Sequence, residues 1–318
     1  MHDVKLNLLQ ATFEFHRLER VPMWKRVRRI LLGVLFIYLG VVVVVAALEG
    51  YLMYPAPTAA QGDWDPSWLE YEDVEITTQA GNKIHGWYCE HPNATRVILL
   101  CHGNGEHVAY MAEELEFVRE KYQASVLAFD YRGYGKSPGK PFETGILADG
   151  DAAQEWLAER AGVEPGDVYL WGRSLGGAVA VHLAAKNGAK GLVLDRTFNS
   201  MVDVAASHYP WLPVRLLLTN RYPSEKRIKN YNGPLLQFHG QPDRVVPFRF
   251  GRALFESAPG EDKTFVESED MGHNSPWPAK YFAQVEQFFQ AIELLEQQAE
   301  QQQSDVGVQS DEGGEGSP

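Results

Sequence analysis

Short apolar runs alternate with longer amphipathic stretches through the middle of the chain. The apolar runs predict strands over residues 74–77, 83–88, 97–101, 125–130, 168–171, 191–194, 234–239 and 264–266. The amphipathic stretches predict helices over residues 108–122, 142–160, 177–187, 248–257 and 281–295. From the third strand onward most runs lack polar alternation, which is typical of parallel strands covered on both faces. The order therefore predicts an α/β fold, a mostly parallel sheet of about eight strands flanked by helices.

One further apolar block, residues 30–48 (ILLGVLFIYLGVVVVVAAL), contains 19 residues and no charge. As a helix it would span roughly 28 Å, close to the ~30 Å hydrocarbon core of a bilayer. We expect one transmembrane helix acting as a signal anchor. A cleaved signal peptide fits less well, because its apolar region usually has about 7 to 15 residues. Small residues at Ala46, Ala47, Ala59 and Ala60 leave cleavage open as an alternative.

The charges flanking this block are unequal. Residues 1–29 hold 7 Lys and Arg against 3 Asp and Glu, whereas no basic residue follows the block before Lys83. Positive flanks remain on the cytoplasmic side. We therefore predict a basic cytoplasmic N-terminus over residues 1–29, with the rest of the chain on the extracytoplasmic side.

Composition predicts three further segments. Residues 49–67 are rich in Pro, Ala and Gly, which is typical of a linker. A folded domain is predicted over residues 68–296, with an apolar insert at about 197–232 that either covers a substrate pocket or packs on the body. Residues 297–318 are polar and acidic, and we expect a disordered tail.

Charge and cysteine content argue against three classes of protein. The chain of 318 residues has a formal net charge of -13, so its average surface repels nucleic acid. Its two cysteines, Cys89 and Cys101, are too few for a disulfide framework or the usual four-ligand zinc site. We expect neither a nucleic-acid partner nor a metal site.

The segment Gly172-Arg173-Ser174-Leu175-Gly176 lies between a predicted strand and a predicted helix. G-x-S-x-G in that setting is a nucleophile elbow, a turn so tight that the flanking glycines must lack side chains. Ser174 is thus the candidate nucleophile. As a chance match, the segment would be an ordinary glycine-rich turn.

A serine hydroxyl becomes a strong nucleophile only when a base takes its proton. In chain order Ser–acid–His, the base must follow residue 174. His273, in a loop between the last strand and the last helix, is the best of four histidines; His182, His208 and His239 are less suitably placed. Asp243 is the candidate acid, and Asp195 is its rival.

Attack on a carbonyl also requires two preset donors for the oxyanion. One is the backbone N–H of Leu175, directly after the nucleophile. The loop His102-Gly103-Asn104-Gly105 follows the third strand, and we expect the backbone N–H of Asn104 to be the second donor. His102 is expected to brace this loop.

The motifs LLCHGNGEH, FDYRGYGKS, WGRSLGG, FHGQPDRVVP and MGHNSP together resemble the alpha/beta hydrolase superfamily. The apolar N-terminal block, the segment IHGWY and the insert make the chain most similar to the membrane-tethered alpha/beta hydrolase domain-containing proteins 13 and 17. The resemblance covers residues 71–289. It implies Ser174, Asp243 and His273 as the catalytic triad, with Asn104 and Leu175 at the oxyanion hole. Some relatives are lipid-anchored through N-terminal cysteines, whereas this chain has none before Cys89.

These features predict a membrane-anchored serine hydrolase that cleaves an ester or thioester, such as a small-molecule or lipid acyl ester, without metal or organic cofactor. Two alternatives remain. One is a serine peptidase or amidase with the same triad, and the other is a non-catalytic membrane scaffold with the hydrolase fold.

Overall fold

The computed structural model describes residues 22–312. The chain divides into two compact units, one ending at Ala47 and the other beginning at Leu48. Most of the predicted basic N-terminus lies outside the described residues. The first unit contains helix α1 (Met23–Ala47), which starts earlier than predicted and includes four basic residues of that N-terminus. Among the residues described, α1 alone is long and apolar enough to cross a membrane.

The second unit is built on an eight-stranded sheet, and all eight predicted strands are present. Their bounds are β1 Glu72–Thr77, β2 Lys83–Cys89, β3 Arg96–Cys101, β4 Ala124–Phe129, β5 Tyr169–Arg173, β6 Gly191–Asp195, β7 Leu235–Gly240 and β8 Lys263–Ser268. The strand order is β1-β2-β4-β3-β5-β6-β7-β8. Strand β2 is antiparallel to both of its neighbours, β1 and β4. Across the sheet from β4 to β8, all neighbouring strands are parallel. The predicted α/β hydrolase fold is confirmed.

Helices cover both faces of the sheet. The helices described in this unit are α2 Glu49–Met53, α3 Ala112–Tyr122, α4 Glu143–Ala161, α5 Leu175–Asn187, α6 Met201–His208, α7 Val214–Leu217, α8 Ser224–Arg227, α9 Phe248–Ser257 and α10 Ala279–Glu312. One apolar core lies between the sheet and α4, α5 and α9, and the other lies between the sheet and α3 and α10. Strands β4 and β6 are fully buried, which explains why their sequences lack alternation.

Helices α6 to α8 belong to the predicted insert. Val214, Tyr222 and Ile228 of this insert are buried in the domain, so part of it packs on the body. Tyr209, Trp211 and Leu216 are exposed. The sequence pattern could not divide these apolar residues between the two roles, because both use the same residue types.

Residues 49–67 are not a free linker, which corrects the sequence-based boundary. The buried Tyr54 hydroxyl donates to Asn220 Oδ1 at 3.0 Å and lies 2.8 Å from the Tyr222 hydroxyl. Further along, Trp64 contacts the rings of Trp87 and His107. Proline and glycine suppress helix and strand without preventing tertiary packing, so composition alone suggested a linker.

The tail prediction also needs correction, because α10 continues to Glu312 and only residues 313–318 of the predicted tail lie outside the described residues. The tail begins with Gln, Ala and Glu, which are good helix formers. Extending a helix that has already formed is much easier than starting one. Low hydrophobicity, the basis of the disorder prediction, does not exclude such an extension.

Candidate active site

The nucleophile elbow is formed by the junction of β5 and α5, with Ser174 as the single residue between them. Ser174 has φ +52° and ψ -114°, a left-handed conformation that non-glycine residues seldom adopt. A side chain at Gly172 would overlap the carbonyl of Gly176, and one at Gly176 would overlap the carbonyl of Cys101. The two glycines therefore allow the turn to lie against β3 with its serine at the carboxyl edge of the sheet.

Ser174, His273 and Asp243 are brought together at this edge by three separate loops. His273 Nε2 lies 3.1 Å from Ser174 Oγ, and His273 Nδ1 lies 2.8 Å from Asp243 Oδ2. Because an ionised carboxylate only accepts hydrogen bonds, Nδ1–H donates to Asp243 and Nε2 is left to accept from the serine hydroxyl. The predicted residues thus form one continuous hydrogen-bonded chain.

The carboxylate of Asp243 is buried and well satisfied. Its Oδ1 accepts the backbone N–H groups of Val245 and Val246 at 2.9 and 2.8 Å. Burial raises the pKa of this carboxyl, but the hydrogen bond and charge of His273 and the Val246 N–H outweigh burial and hold the pKa below its usual value. Asp243 is therefore held ionised beside His273.

The rival acid, Asp195, is occupied elsewhere. Its carboxylate accepts Arg196 Nε at 2.9 Å and Trp277 Nε1 at 2.9 Å, and both Asp195 and Arg196 are buried. Arg196 Nη1 also donates to the carbonyls of Gly272 and Ser275, at 3.2 and 2.8 Å. The Asp195–Arg196 pair thus holds the loop that carries His273.

Sequence reasoning missed this role of Arg196. A charged pair directly after a buried strand was the available signal, but its contacts span 76 and 79 residues of sequence. Such long-range contacts to backbone carbonyls leave no trace in local sequence.

The remaining histidines have other partners. His182 Nε2 lies 3.4 Å from Asp151, His208 Nε2 donates to the carbonyl of Val245 at 2.9 Å, and His239 Nε2 donates to that of Val246 at 2.8 Å. Burial lowers the pKa of His239. His239 therefore supports the Asp243 loop as a neutral side chain.

The predicted oxyanion loop follows β3. Leu175 is the first residue of α5, so its N–H has no carbonyl one turn earlier within the helix. The Asn104 side chain is held at both ends, since its Nδ2 donates to the Met53 carbonyl at 2.7 Å and its Oδ1 accepts the Tyr134 hydroxyl at 2.6 Å. These contacts fix the loop that holds the Asn104 backbone N–H, the predicted second donor to the oxyanion.

Two neighbours brace the same loop. His102 Nδ1–H donates to the Gly103 carbonyl at 2.8 Å, and burial lowers the pKa of His102 to about 4, so its ring is neutral. Glu106 accepts the Gly103 N–H at 2.7 Å and forms an ion pair with Arg173 of the elbow. The Glu106–Arg173 ion pair therefore links the oxyanion loop to the nucleophile elbow.

No group of three or more His, Cys, Asp or Glu side chains in the described part of the chain could hold a metal ion. Cys89 and Cys101 are both buried free thiols, and burial raises the pKa of each. What the site presents is a hydroxyl, an imidazole, a carboxylate and backbone N–H groups.

Comparison with known proteins places the chain in a family. The model of the alpha/beta hydrolase fold matches residues 96–221. Alpha/beta hydrolase domain-containing protein 17B of Homo sapiens is 30% identical over 242 residues, covering 74% of this chain and 79% of that protein. The chain belongs to the alpha/beta hydrolase family. The resemblance drawn from the five motifs is thereby confirmed.

Other similar proteins match comparable lengths of this chain. An uncharacterized protein of Mycobacterium tuberculosis (strain ATCC 25618 / H37Rv) is 42% identical over 206 residues, 64% of this chain and 73% of that protein. The Pyrococcus furiosus esterase Pf2001 superposes with a TM-score of 0.62 at 22% identity, covering 74% of this chain and 98% of the esterase chain. Acetyl xylan esterase 1 from Thermoanaerobacterium sp. gives 0.59 at 19% identity, with coverage of 73% and 86%. At these identities the structures establish the fold.

Proposed function

We propose that this alpha/beta hydrolase is a membrane-anchored serine hydrolase that cleaves a carboxylic ester or thioester through an acyl-enzyme on Ser174. The observation that carries the proposal is the chain of contacts from Ser174 Oγ to His273 Nε2, 3.1 Å, and from His273 Nδ1 to Asp243 Oδ2, 2.8 Å. These are the distances at which a base can take a hydroxyl proton while a carboxylate stabilises the resulting imidazolium.

In the first half-reaction Ser174 Oγ attacks the substrate carbonyl carbon while its proton passes to His273 Nε2. The tetrahedral intermediate collapses, the carbon–oxygen or carbon–sulfur bond to the leaving group breaks, and His273 returns the proton to that group. Water then attacks the acyl-enzyme with His273 again as base, and the acid product and free Ser174 are released. Protein groups and water supply every step.

We assign stabilisation of the oxyanion to the backbone N–H groups of Leu175 and Asn104. Leu175 N–H is free of the helix ladder and lies at the positive end of the α5 dipole. The contacts of Asn104 with Met53 and Tyr134 hold its backbone in advance of catalysis, which is what oxyanion stabilisation requires.

Two proteins of similar structure, Pf2001 and acetyl xylan esterase 1, are esterases. This likeness favours ester cleavage over other acyl transfers. The alternatives are a peptidase or amidase using the same triad and a scaffold without activity. A scaffold has no need for three chemically matched residues in a hydrogen-bonded chain.

A fluorophosphonate probe tests the nucleophile. The full-length protein should be labelled, and Ser174→Ala should abolish labelling, whereas Ser67→Ala, which changes an exposed serine, should leave it intact. Equal labelling of Ser174→Ala and wild type would refute the assignment. Rates on matched ester, thioester and amide substrates would then rank the acyl chemistries.

The anchor is assigned to α1, with the N-terminus in the cytoplasm and the catalytic domain on the extracytoplasmic side. Support comes from the length and composition of α1 and from the excess of basic residues before the apolar block. Reporters fused to the C-terminus test the orientation, and one active solely in the cytosol would contradict it.

A further inference from the structure

The second unit exposes large apolar side chains on α2 and around α7. Tyr51 and Leu52 of α2 are 83% and 58% exposed, and Leu216 of α7 is 87% exposed. Leu48, directly before α2, is also exposed. We call these four side chains the docking face. Single exposed leucines are ordinary on a soluble protein, but this set is concentrated on two short elements.

A compact hydrogen-bonded junction joins the two elements. The Glu49 carboxylate accepts the backbone N–H groups of Thr219 and Asn220, each at 2.9 Å, and also the Asn220 side-chain amide at 3.0 Å. Glu49 is two residues before Tyr51, and Thr219 is three residues after Leu216. The exposed side chains therefore flank one fixed junction.

The chain connection identifies what covers this face. Leu48 is the residue directly after α1, the helix able to cross a membrane, so α2 begins within two residues of its end. A chain leaving a bilayer at that point places α2 at the lipid–water interface. Tyrosine is enriched at that depth because its ring is apolar and its hydroxyl is polar.

The charges near the face suit a lipid surface as well. The Glu49 carboxylate is satisfied by its hydrogen bonds to Thr219 and Asn220, which hold the pKa of that carboxyl below its usual value even though burial raises it. Arg215, next to Leu216, is an exposed cation whose Nη2 contacts Asp203 at 2.8 Å. Because each of these charges already has a partner within the protein, placing it beside a lipid surface costs less than it would for an unpaired charge.

We propose that the docking face of α2 and α7 lies against a lipid bilayer, holding the insert at the membrane surface. The proposal rests on the membrane anchoring assigned above and adds a second, peripheral contact of the catalytic unit. Immersion of such a face reaches ~5–10 Å into the headgroup and acyl boundary. The occupant is the membrane itself.

The test uses full-length protein reconstituted into phosphatidylcholine and phosphatidylglycerol vesicles. An environment-sensitive thiol dye is attached at Leu216→Cys, at Leu294→Cys or at Leu35→Cys, one site per protein. Leu294, on α10, is 54% exposed and is the matched control, while Leu35 reports on α1. The native thiols are buried, and unsubstituted protein gives the background labelling.

We expect phospholipids with a doxyl quencher near the headgroup end of the chain to quench the dye at position 216 strongly and that at 294 weakly. Aqueous iodide should give the reverse order. If the dye at 35 is quenched by lipid but those at 216 and 294 respond alike, docking is overturned while the anchor stands. If the dye at 35 is not quenched by lipid, anchoring fails and docking fails with it. Shielding of 216 from both quenchers, together with a dimer by sedimentation, would overturn the proposal in favour of a second copy.

Fluorophosphonate labelling of the same proteins measures the hydrolase site independently. Loss of labelling with the expected quenching would refute the proposed chemistry and leave docking intact. Normal labelling with no quenching difference between 216 and 294 would do the opposite.

Discussion

The side-chain amide of Asn104 donates a hydrogen bond to the backbone carbonyl of Met53 at 2.7 Å. Met53 ends α2, whereas Asn104 follows β3 in the proposed oxyanion loop. The segment directly after α1 is therefore part of the support of the proposed active site.

Asn104→Asp should lower kcat with little change in KM. The carboxylate cannot donate to the Met53 carbonyl, so the backbone N–H of residue 104 loses its fixed position. Complete loss of one oxyanion donor costs about 10²–10³ in kcat, and a displaced donor should cost less, about tenfold. Steady-state kinetics on a soluble ester measures this. Asn93→Asp, at an exposed position, is the matched control; an unchanged kcat with a raised KM would contradict the positioning role.

Asp243→Asn should reduce kcat by about 10⁴, because the amide favours the wrong tautomer of His273. The measurement is turnover of a soluble ester, with circular dichroism confirming the fold. Asp195→Asn should retain far more activity but unfold more easily, since it leaves the buried Arg196 without its charged partner at a cost of about 3–5 kcal/mol. The reverse order of activities would mean that the acid has been misassigned.

Arg196→Lys should lower kcat about tenfold, a smaller loss than removal of a triad member. Lysine retains a positive charge for Asp195 but cannot bridge the carboxylate and the carbonyls of Gly272 and Ser275 together. The rate of fluorophosphonate labelling should fall in parallel. Arg252→Lys, which alters an exposed pair with Glu256, is the control and should leave the rate unchanged. A change in melting temperature without any change in labelling rate would contradict the positioning role.

The free energy of unfolding should decrease as the pH falls from about 6.5 toward 4. Burial lowers the pKa of His102 from 6.5 to about 4 in the folded protein, so between these values the unfolded chain binds a proton that the folded chain does not. Each such proton lowers stability by up to about 1.4 kcal/mol per pH unit. Urea unfolding at several pH values measures the slope. His102→Asn can preserve the donor to Gly103 and should flatten the curve; an unchanged slope would show that other groups cause it.

Glu49→Ala should lower the melting temperature by about 2–4 °C if residues 49–67 belong to the folded unit. The change leaves the backbone N–H groups of Thr219 and Asn220 without their acceptor. Thermal unfolding of detergent-solubilised full-length protein is the measurement. Glu70→Ala, at a side chain that is 93% exposed, is the control. Equal melting temperatures for both variants would restore the linker interpretation.

Local pattern determined a large part of this protein. The strands follow from short apolar runs, most of them unbroken from the third strand onward, and the elbow follows from glycines at positions 172 and 176 around Ser174. These features depend on neighbouring residues, because burial of a strand and the geometry of a tight turn both leave their requirements in adjacent positions. The order Ser–acid–His along the chain then predicted His273 as the base and Asp243 as the acid, without any measured distance.

The tertiary structure decided what depends on contacts between distant segments. It pairs Arg196 with the carbonyls of Gly272 and Ser275, and it pairs Asn104 with Met53. It also joins the supposed linker to the insert through Glu49 and Tyr54. Partners separated by up to 171 residues leave no local pattern, because hydrogen-bonding side chains look alike in sequence whether they face water or one another. Only the fold selects among these possible partners.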